Sequence, residues 1–395
     1  MTVDVRVLDP QTLEPAFLAL ERAFGNAPHP EDTRVELSTV DPRRFYAGFD
    51  GSEPVATAGS FAFSMTVPGG PVPVAGVTWV SVLPTYRRQG LLHALMTRQL
   101  ADLHDEGTAV AALWATEAAI YGRYGYGPAS WRLGLSLRRG VPFRTPIEPG
   151  GLRLVDPGSP EVRAVYDAAA ARTAGFPARD DAWWGFRLHD PEHRREGGSE
   201  LQCVLAEGAY ALYSTAPRWQ DGLPSGEVRV REVVAATPGG AARVWRHLLD
   251  LDLMEKVQVF AAPPDGPLLT DLLAEPRLAR PTVTDGLHVR LVDVPAALAA
   301  RRYAAGIHVV LKVIDDRCPW NAGRWLLTGD RDGAACEAVT ESPDLVVDVS
   351  DLGAAYLGGT PLRSRSVVEV TPGALSRAAT ALGPLEGAPW CPQVF

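Results

Sequence analysis

At 395 residues the chain exceeds what a single hydrophobic core comfortably organises, so two or three domains are expected, and 46% hydrophobic with 22% charged residues is ordinary globular composition. The net charge of −9 argues against a nucleic-acid surface, and with no apolar run of membrane-spanning length and no secretory leader a cytoplasmic location without membrane attachment is expected. Cys203, Cys318, Cys336 and Cys391 are scattered, with no CxxC pair and no His at ligand spacing, so no metal site and no disulfide framework is expected.

In chain order, Val3, Val5 and Val7 alternate as a strand and residues 12–24 read as a helix. A hairpin follows, residues 44–49 and 55–67 about Asp50-Gly51, and Gly69-Gly70 turns the chain into a long strand over 72–83. A helix over 89–104 carries Leu92, Leu95, Met96, Leu100 and Leu103 on one face. Residues 110–114 read as a buried strand, a short helix starts near Ala118, and a strand over 130–137 is expected to complete a mixed sheet. A linker is expected about Gly150-Gly151 and Pro157 to Pro160. Beyond it, strands over 201–205, 210–213, 229–236 and 257–260 and a helix over 238–251 repeat the rhythm of the first domain. Residues 276–284 read as a connector. Strands near 288–294, 309–314, 324–328 and 345–349, with helices over 295–303, 350–357 and 372–382, make a third, α+β segment. The Pro- and aromatic-rich tail 387–395 fits no regular element.

The most informative stretch runs Val80-Ser81-Val82-Leu83-Pro84-Thr85-Tyr86-Arg87-Arg88-Gln89-Gly90-Leu91-Leu92, from the end of a strand into an amphipathic helix. Glycine ahead of the helix permits close backbone approach, and the first helical N–H groups have no internal acceptor. Together with the helix dipole and the guanidinium groups of Arg87 and Arg88, they suit a pyrophosphate. In isolation the same residues also describe a surface turn with solvated arginines; the surrounding strand order and a downstream tyrosine favour the cofactor reading.

This stretch resembles the acetyl-CoA loop of GNAT acetyltransferases, Arg/Gln-x-x-Gly-x-Gly/Ala, with Arg87 and Gly90 matching and Leu92 at the last small position. Within that resemblance, a tyrosine opening the short helix after the fifth strand faces the thioester sulfur, and Tyr121 in Tyr121-Gly122-Arg123-Tyr124-Gly125-Tyr126 has the expected spacing. A phenol of pKa about 10 is able to protonate a departing thiolate of pKa about 8.5. Tyr124 and Tyr126 are read as packing residues.

Over nearly its whole length the chain is similar to the enhanced intracellular survival (Eis) acetyltransferases. The carrying residues are Val80 to Leu92, Ile120 to Pro128, Tyr210-Ala211-Leu212-Tyr213, Asp285-Gly286-Leu287-His288-Val289-Arg290, Val294-Pro295-Ala296-Ala297-Leu298, Tyr356-Leu357-Gly358 and the terminal Phe395. The resemblance implies tandem GNAT domains, each a mixed sheet flanked by helices, followed by a sterol-carrier-like α+β domain: 1–145 with the acetyl-CoA site, 146–284 a degenerate second GNAT domain, and 285–395 the third. It implies a homohexamer and acetyl transfer to a small-molecule amine such as a polyamine or aminoglycoside. Acetyl-CoA contacts are implied for the backbone of Val80 and Val82 and for Arg87, Arg88, Gly90 and Leu91. Aromatic pocket-wall positions fall on Phe24 and Trp79, and the C-terminal carboxylate of Phe395 is implied as general base. Some relatives that take aminoglycosides carry an acid where this chain has Asn26, which weakens that substrate expectation. Residues 235–240 lack the arginine of the loop, so no CoA is expected in the second domain. Transfer to protein lysine, lipid binding by the third domain, and CoA sensing without turnover stay open as alternatives.

Overall fold

The computed structural model describes residues 3–148, 150–363 and 367–395. From the N-terminus come β1 (Asp4–Val7), α1 (Leu13–Phe24) and α2 (Pro30–Leu37), then β2 (Phe45–Asp50), β3 (Glu53–Val67) and β4 (Gly70–Val82). The buried face of α1 is Leu13, Ala16, Phe17 and Leu20, at helical spacing, and Gly25 ends it in the left-handed region at φ 76°. Helix α2 lies outside the sequence expectation. It starts on Pro30 at the first helical position, with the His29 ring accepting the Glu31 N–H.

α3 (Leu91–Asp105), β5 (Val110–Trp114), α4 (Ala118–Tyr121), β6 (Gly127–Pro128) and β7 (Trp131–Arg138) follow. Next are β8 (Arg153–Val155), α5 (Pro160–Ala170), α6 (Asp181–Leu188), β9 (Gln202–Ala206), β10 (Ala209–Ala216), β11 (Trp219–Gln220), β12 (Leu223–Pro224), β13 (Gly226–Ala235), α7 (Pro238–Asp250), β14 (Met254–Ala262) and β15 (Thr282–Asp285). The last stretch holds β16 (Leu287–Leu291), α8 (Val294–Ala300), β17 (Ile307–Ile314), β18 (Gly323–Gly329), β19 (Ala334–Ala338), β20 (Leu345–Asp348), α9 (Val349–Ala355), β21 (Val368–Glu369) and α10 (Ala374–Ala381).

The chain forms two compact units. One contains residues 1–130, 286–385 and 394–395; the other contains 131–285 and 386–393. Within the first, a seven-stranded mixed sheet runs β1-β2-β3-β4-β5-β16-β6 and a five-stranded sheet runs β19-β18-β17-β20-β21. Within the second, seven strands run β15-β7-β14-β13-β10-β9-β8.

Two strand placements correct the sequence reading. The strand expected to close the first sheet, β7, belongs to the second, where Leu133, Leu135 and Leu137 pack with Val257 and Val259. Its place in the first sheet is taken by β16, expected in the third segment, which pairs antiparallel with β5 from Leu287↔Trp114 to Leu291↔Val110. All five β16 residues are buried. Its register is pinned by the Leu287 N–H donating to Ser130 Oγ at 2.9 Å and by Arg290 Nη2 on Asp315 Oδ2 at 2.6 Å. Alternation within β7 says only that one face is buried, not in which sheet. Residues 282–285, read as connector, are likewise a strand, on the edge of the second sheet.

The tail 386–395 forms no regular element, as expected. Its residues 386–393 belong to the second unit, where Trp390 stacks edge-on against Phe176 at 5.2 Å and Gln393 Oε1 accepts from Arg179 Nε at 2.8 Å. The four cysteines are unpaired.

Candidate active site

Strand β4 is hydrogen-bonded to β3 along its length but to β5 only from Val74↔Val110 to Val77↔Leu113. β4 then runs on to Val82 without β5. The parting coincides with a bulge: Thr57 faces Ser81 while Gly59 faces Thr78, so Trp79 and Val80 together oppose Ala58. Trp79 sits at φ 55°, a conformation that costs a non-glycine residue about 1–3 kcal/mol. It is held there by the Thr57 hydroxyl on the Trp79 carbonyl at 2.5 Å, and by its ring between Phe17 (5.3 Å) and Phe45 (4.7 Å).

The bulge decides which backbone groups are available. The Leu83 N–H donates to Val55 O in β3. By the two-residue alternation of a strand, the groups of Ser81 face β3, and those of Val80 and Val82 face the side that β5 has vacated.

Beyond β4 the chain passes Arg88 at φ 63° and Gly90 at φ 84° before α3 begins. No side chain caps this helix, and Gly90 O is engaged by Ala94 N. The N–H groups of Leu91, Leu92 and His93 therefore point outward at the positive end of a 15-residue helix. Arg87 and Arg88 are exposed beside it, and neither forms an ion pair with an acid among the described residues; Arg87 Nε reaches Val82 O at 3.4 Å. Leu91 is buried and fixes the first turn of α3 against the sheet. Leu92, in place of the family's small residue, is partly buried against the core.

Tyr121 ends α4 and is buried in a cluster with Val77, Leu113, Tyr124 and Tyr126. Burial pushes its phenol above the usual value, opposed by a hydrogen bond with the Thr116 side chain. The Tyr126 ring lies 6.1 Å from that of Tyr121, edge-on; its hydroxyl is buried without a hydrogen-bond partner.

Phe395 lies on the other face of β4. Its ring meets Phe63 at 4.9 Å and passes over Gly76, where a Cβ would come within 3.1 Å of it. From Phe395 a row of rings runs through Phe63, Phe61 (5.9 Å), Phe45 (5.6 Å), Trp79 and Phe17. Gly59 and Gly76 make room for it: a Cβ on either would collide with Phe45 or Phe63. No ring contact joins Phe395 to Tyr121 among the described residues. Phe24, at the end of α1, is half exposed and stands apart from this row.

The second unit contrasts sharply at the corresponding helix. Thr237 caps α7, its hydroxyl accepting from Gly240 N at 3.2 Å and donating to Glu207 O at 2.9 Å. A Cβ at Gly240 would stand 2.4 Å from that same Glu207 carbonyl. At this helix start the Gly240 amide is thus engaged by its own chain, which is not the case at α3.

Sequence reasoning missed the bulge at Trp79 and the aromatic row. The signal for the row was present as Phe61 and Phe63 alternating on one face of β3, with Gly76 opposite; the bulge left no mark in composition.

The chain is similar to known proteins along its length. Residues 4–129 and 175–291 each match an acetyltransferase (GNAT) domain, and residues 294–392 match a sterol carrier protein domain. An N-acetyltransferase of Streptomyces avermitilis is 41% identical over all of both chains. The N-acetyltransferase Eis of Mycobacterium tuberculosis is 36% identical over 78% of this chain and 77% of its own. The crystal structure of Eis1 from Mycobacterium abscessus superposes with a TM-score of 0.85 at 33% identity, over 99% of this chain and 100% of that one.

Proposed function

We propose that this chain, which belongs to the Eis-like family of GNAT N-acetyltransferases, transfers the acetyl group of acetyl-CoA to a primary amine of a polycationic small molecule, a polyamine or an aminoglycoside, by direct attack within a ternary complex. The observation that carries the reading is the vacated edge of β4 leading into α3, with no side-chain cap and with two arginines lacking acid partners among the described residues. These groups fit the cofactor: amides and guanidinium groups for a diphosphate, and strand-edge amides for the arm that ends in the thioester. When bound, acetyl-CoA supplies an activated acyl group.

The chain's own residues do the rest. Arg87, Arg88, Gly90 and the Leu91 amide hold the diphosphate, and the backbone of Val80 and Val82 pairs with the arm. Tyr121 gives its proton to the departing sulfur; with its pKa raised by burial, it stays protonated across neutral pH. The α-carboxylate of Phe395 takes the proton from the attacking amine. A carboxylate of ordinary pKa about 3.5 facing an ammonium of about 8–10 makes abstraction steeply uphill, a gap that burial of the carboxylate beside aromatic rings would narrow, whether the proton passes directly or through a water. Phe24 and Trp79 line the amine pocket. The catalytic segment is 1–145, the segment 146–284 holds no CoA, and 285–395 delivers the tail. The protein is cytoplasmic and assembles as a hexamer, as the family resemblance implies; among the described residues no helix is long and apolar enough to cross a membrane.

The test is release of CoA on mixing with acetyl-CoA and either spermidine or an aminoglycoside. The reading predicts turnover that Tyr121→Phe lowers by about 10²–10⁴-fold and that one glycine appended after Phe395 also suppresses. Wild-type protein that binds acetyl-CoA yet turns over no amine across such a panel is a sensor instead.

A further inference from the structure

The second unit repeats the parting of strands without the phosphate seat. Its parallel pair β13–β14 is bonded from Gly226↔Met254 to Val230↔Val259 and no further, although β13 continues to Ala235 and β14 to Ala262. Where they part lies a cavity of about 100 Å³, walled by Leu133, Leu135, Phe176, Trp245, Leu268 and Trp390. Ala169, Thr173 and Ala235 line both this chamber and an adjoining one of about 160 Å³. The outer chamber is polar: Arg172 and Glu386 stand in its wall.

These two chambers differ in what they accept. An apolar chamber of this order stays dry and takes up small apolar molecules. At the mouth, Arg172 Nε faces Glu386 Oε2 at 3.5 Å, with both side chains more than half exposed, so a carboxylate already occupies the place and is held loosely.

We propose that this unit binds a small amphiphilic carboxylate, its short hydrocarbon chain in the inner chamber and its carboxylate on Arg172 in place of Glu386. The site is separate from the acetyl-transfer site and does not depend on that assignment. Trp390 walls the inner chamber and Glu386 the outer, so ligand occupancy is coupled to the seating of residues 386–393.

The test is isothermal titration of the full chain, saturated with CoA, with hexanoate, hexanol and hexylamine. Hexanoate is expected to bind at least five-fold more tightly than hexanol, and hexylamine more weakly than either. Arg172→Gln brings hexanoate to the hexanol value. Ala241→Leu, which fills the chamber from α7, weakens both at least ten-fold; Leu269→Trp does the same from the opposite wall should the first variant fold poorly. A cooperative thermal unfolding transition and unchanged near-UV circular dichroism certify the fold of each variant. The proposal is overturned if hexanoate and hexanol both fail to bind, if hexylamine binds best, if Arg172→Gln leaves hexanoate unaffected, or if folded filled variants bind as the wild type does.

Discussion

Glu232 is the most constrained charge in the second unit. It is buried, yet Arg179 Nη2 lies 2.6 Å and Arg187 Nε 3.1 Å from its Oε2, and the Tyr210 hydroxyl donates to Oε1 at 2.5 Å. Desolvation alone would raise its pKa; the two guanidinium groups outweigh that and hold it well below the usual carboxylate range. Removing one partner leaves an uncompensated buried charge, so Arg179→Leu is expected to cost about 3–5 kcal/mol in urea unfolding. The sign with pH follows from the depressed native value. The contribution is complete above the unfolded pKa of about 4.3 and is lost as pH falls below it toward the native value. Wild-type stability should therefore drop between about pH 4 and 2, and Glu232→Gln should flatten that drop. Tyr121 carries the opposite lesson: its phenol titrates upward through burial, so kcat should show no alkaline loss below about pH 10. An alkaline limb near pH 8 that Tyr121→Phe abolishes would contradict the upward displacement of its phenol.

At the scale of elements, the two strand–helix junctions separate by one device each. β4–α3 ends in glycine at positive φ and leaves three amides free; β13–α7 ends in threonine, whose hydroxyl engages the Gly240 amide. Thr237→Ala should cost about 1 kcal/mol of stability and leave acetyl-CoA binding unchanged. Gly90→Ala, which forces a side chain to φ 84°, should cost about 1 kcal/mol and also raise the KM for acetyl-CoA, because the strain sits where the amides are aimed. Steady-state kinetics beside thermal unfolding separates the two effects. This distinction was legible in the sequence, since arginine and glycine precede α3 while Ala235-Ala236-Thr237 precedes α7. The bulge at Trp79 was not, because a bulge is a property of two strands in register and a single strand's residues do not announce it. Helix α2, outside the sequence expectation, nonetheless carries an N-terminal signature, Pro30 with Glu31 and Asp32 behind it.

For the whole molecule, the decisive feature is that the first sheet is completed by a strand about 160–180 residues away from its neighbours in sequence, as the pairing Val289↔Ala112 and Val289↔Gly127 shows. Such closure is invisible to local patterning: alternation placed β7 in the nearest sheet, and only the buried pairs of Ser130 with Leu287 and Arg290 with Asp315 decide otherwise. A fragment ending at residue 145 lacks β16, leaves the β5 edge unpaired, and is expected to lack cooperative thermal unfolding. Helix α9 lies tightly on that closure, a Cβ at Gly353 standing 2.2 Å from Val289 O, so Gly353→Ala should destabilise the first unit more than any surface glycine change.

Acetyl transfer by this chain depends on one helix start holding the acyl donor. Calorimetric titration of the intact protein with CoA measures this most directly, by stoichiometry in the wild type and by affinity in Arg87→Ala/Arg88→Ala. One site per chain, weakened at least ten-fold by the double substitution, is the predicted result. Two sites per chain, or an affinity indifferent to both arginines, would place the diphosphate elsewhere and contradict it.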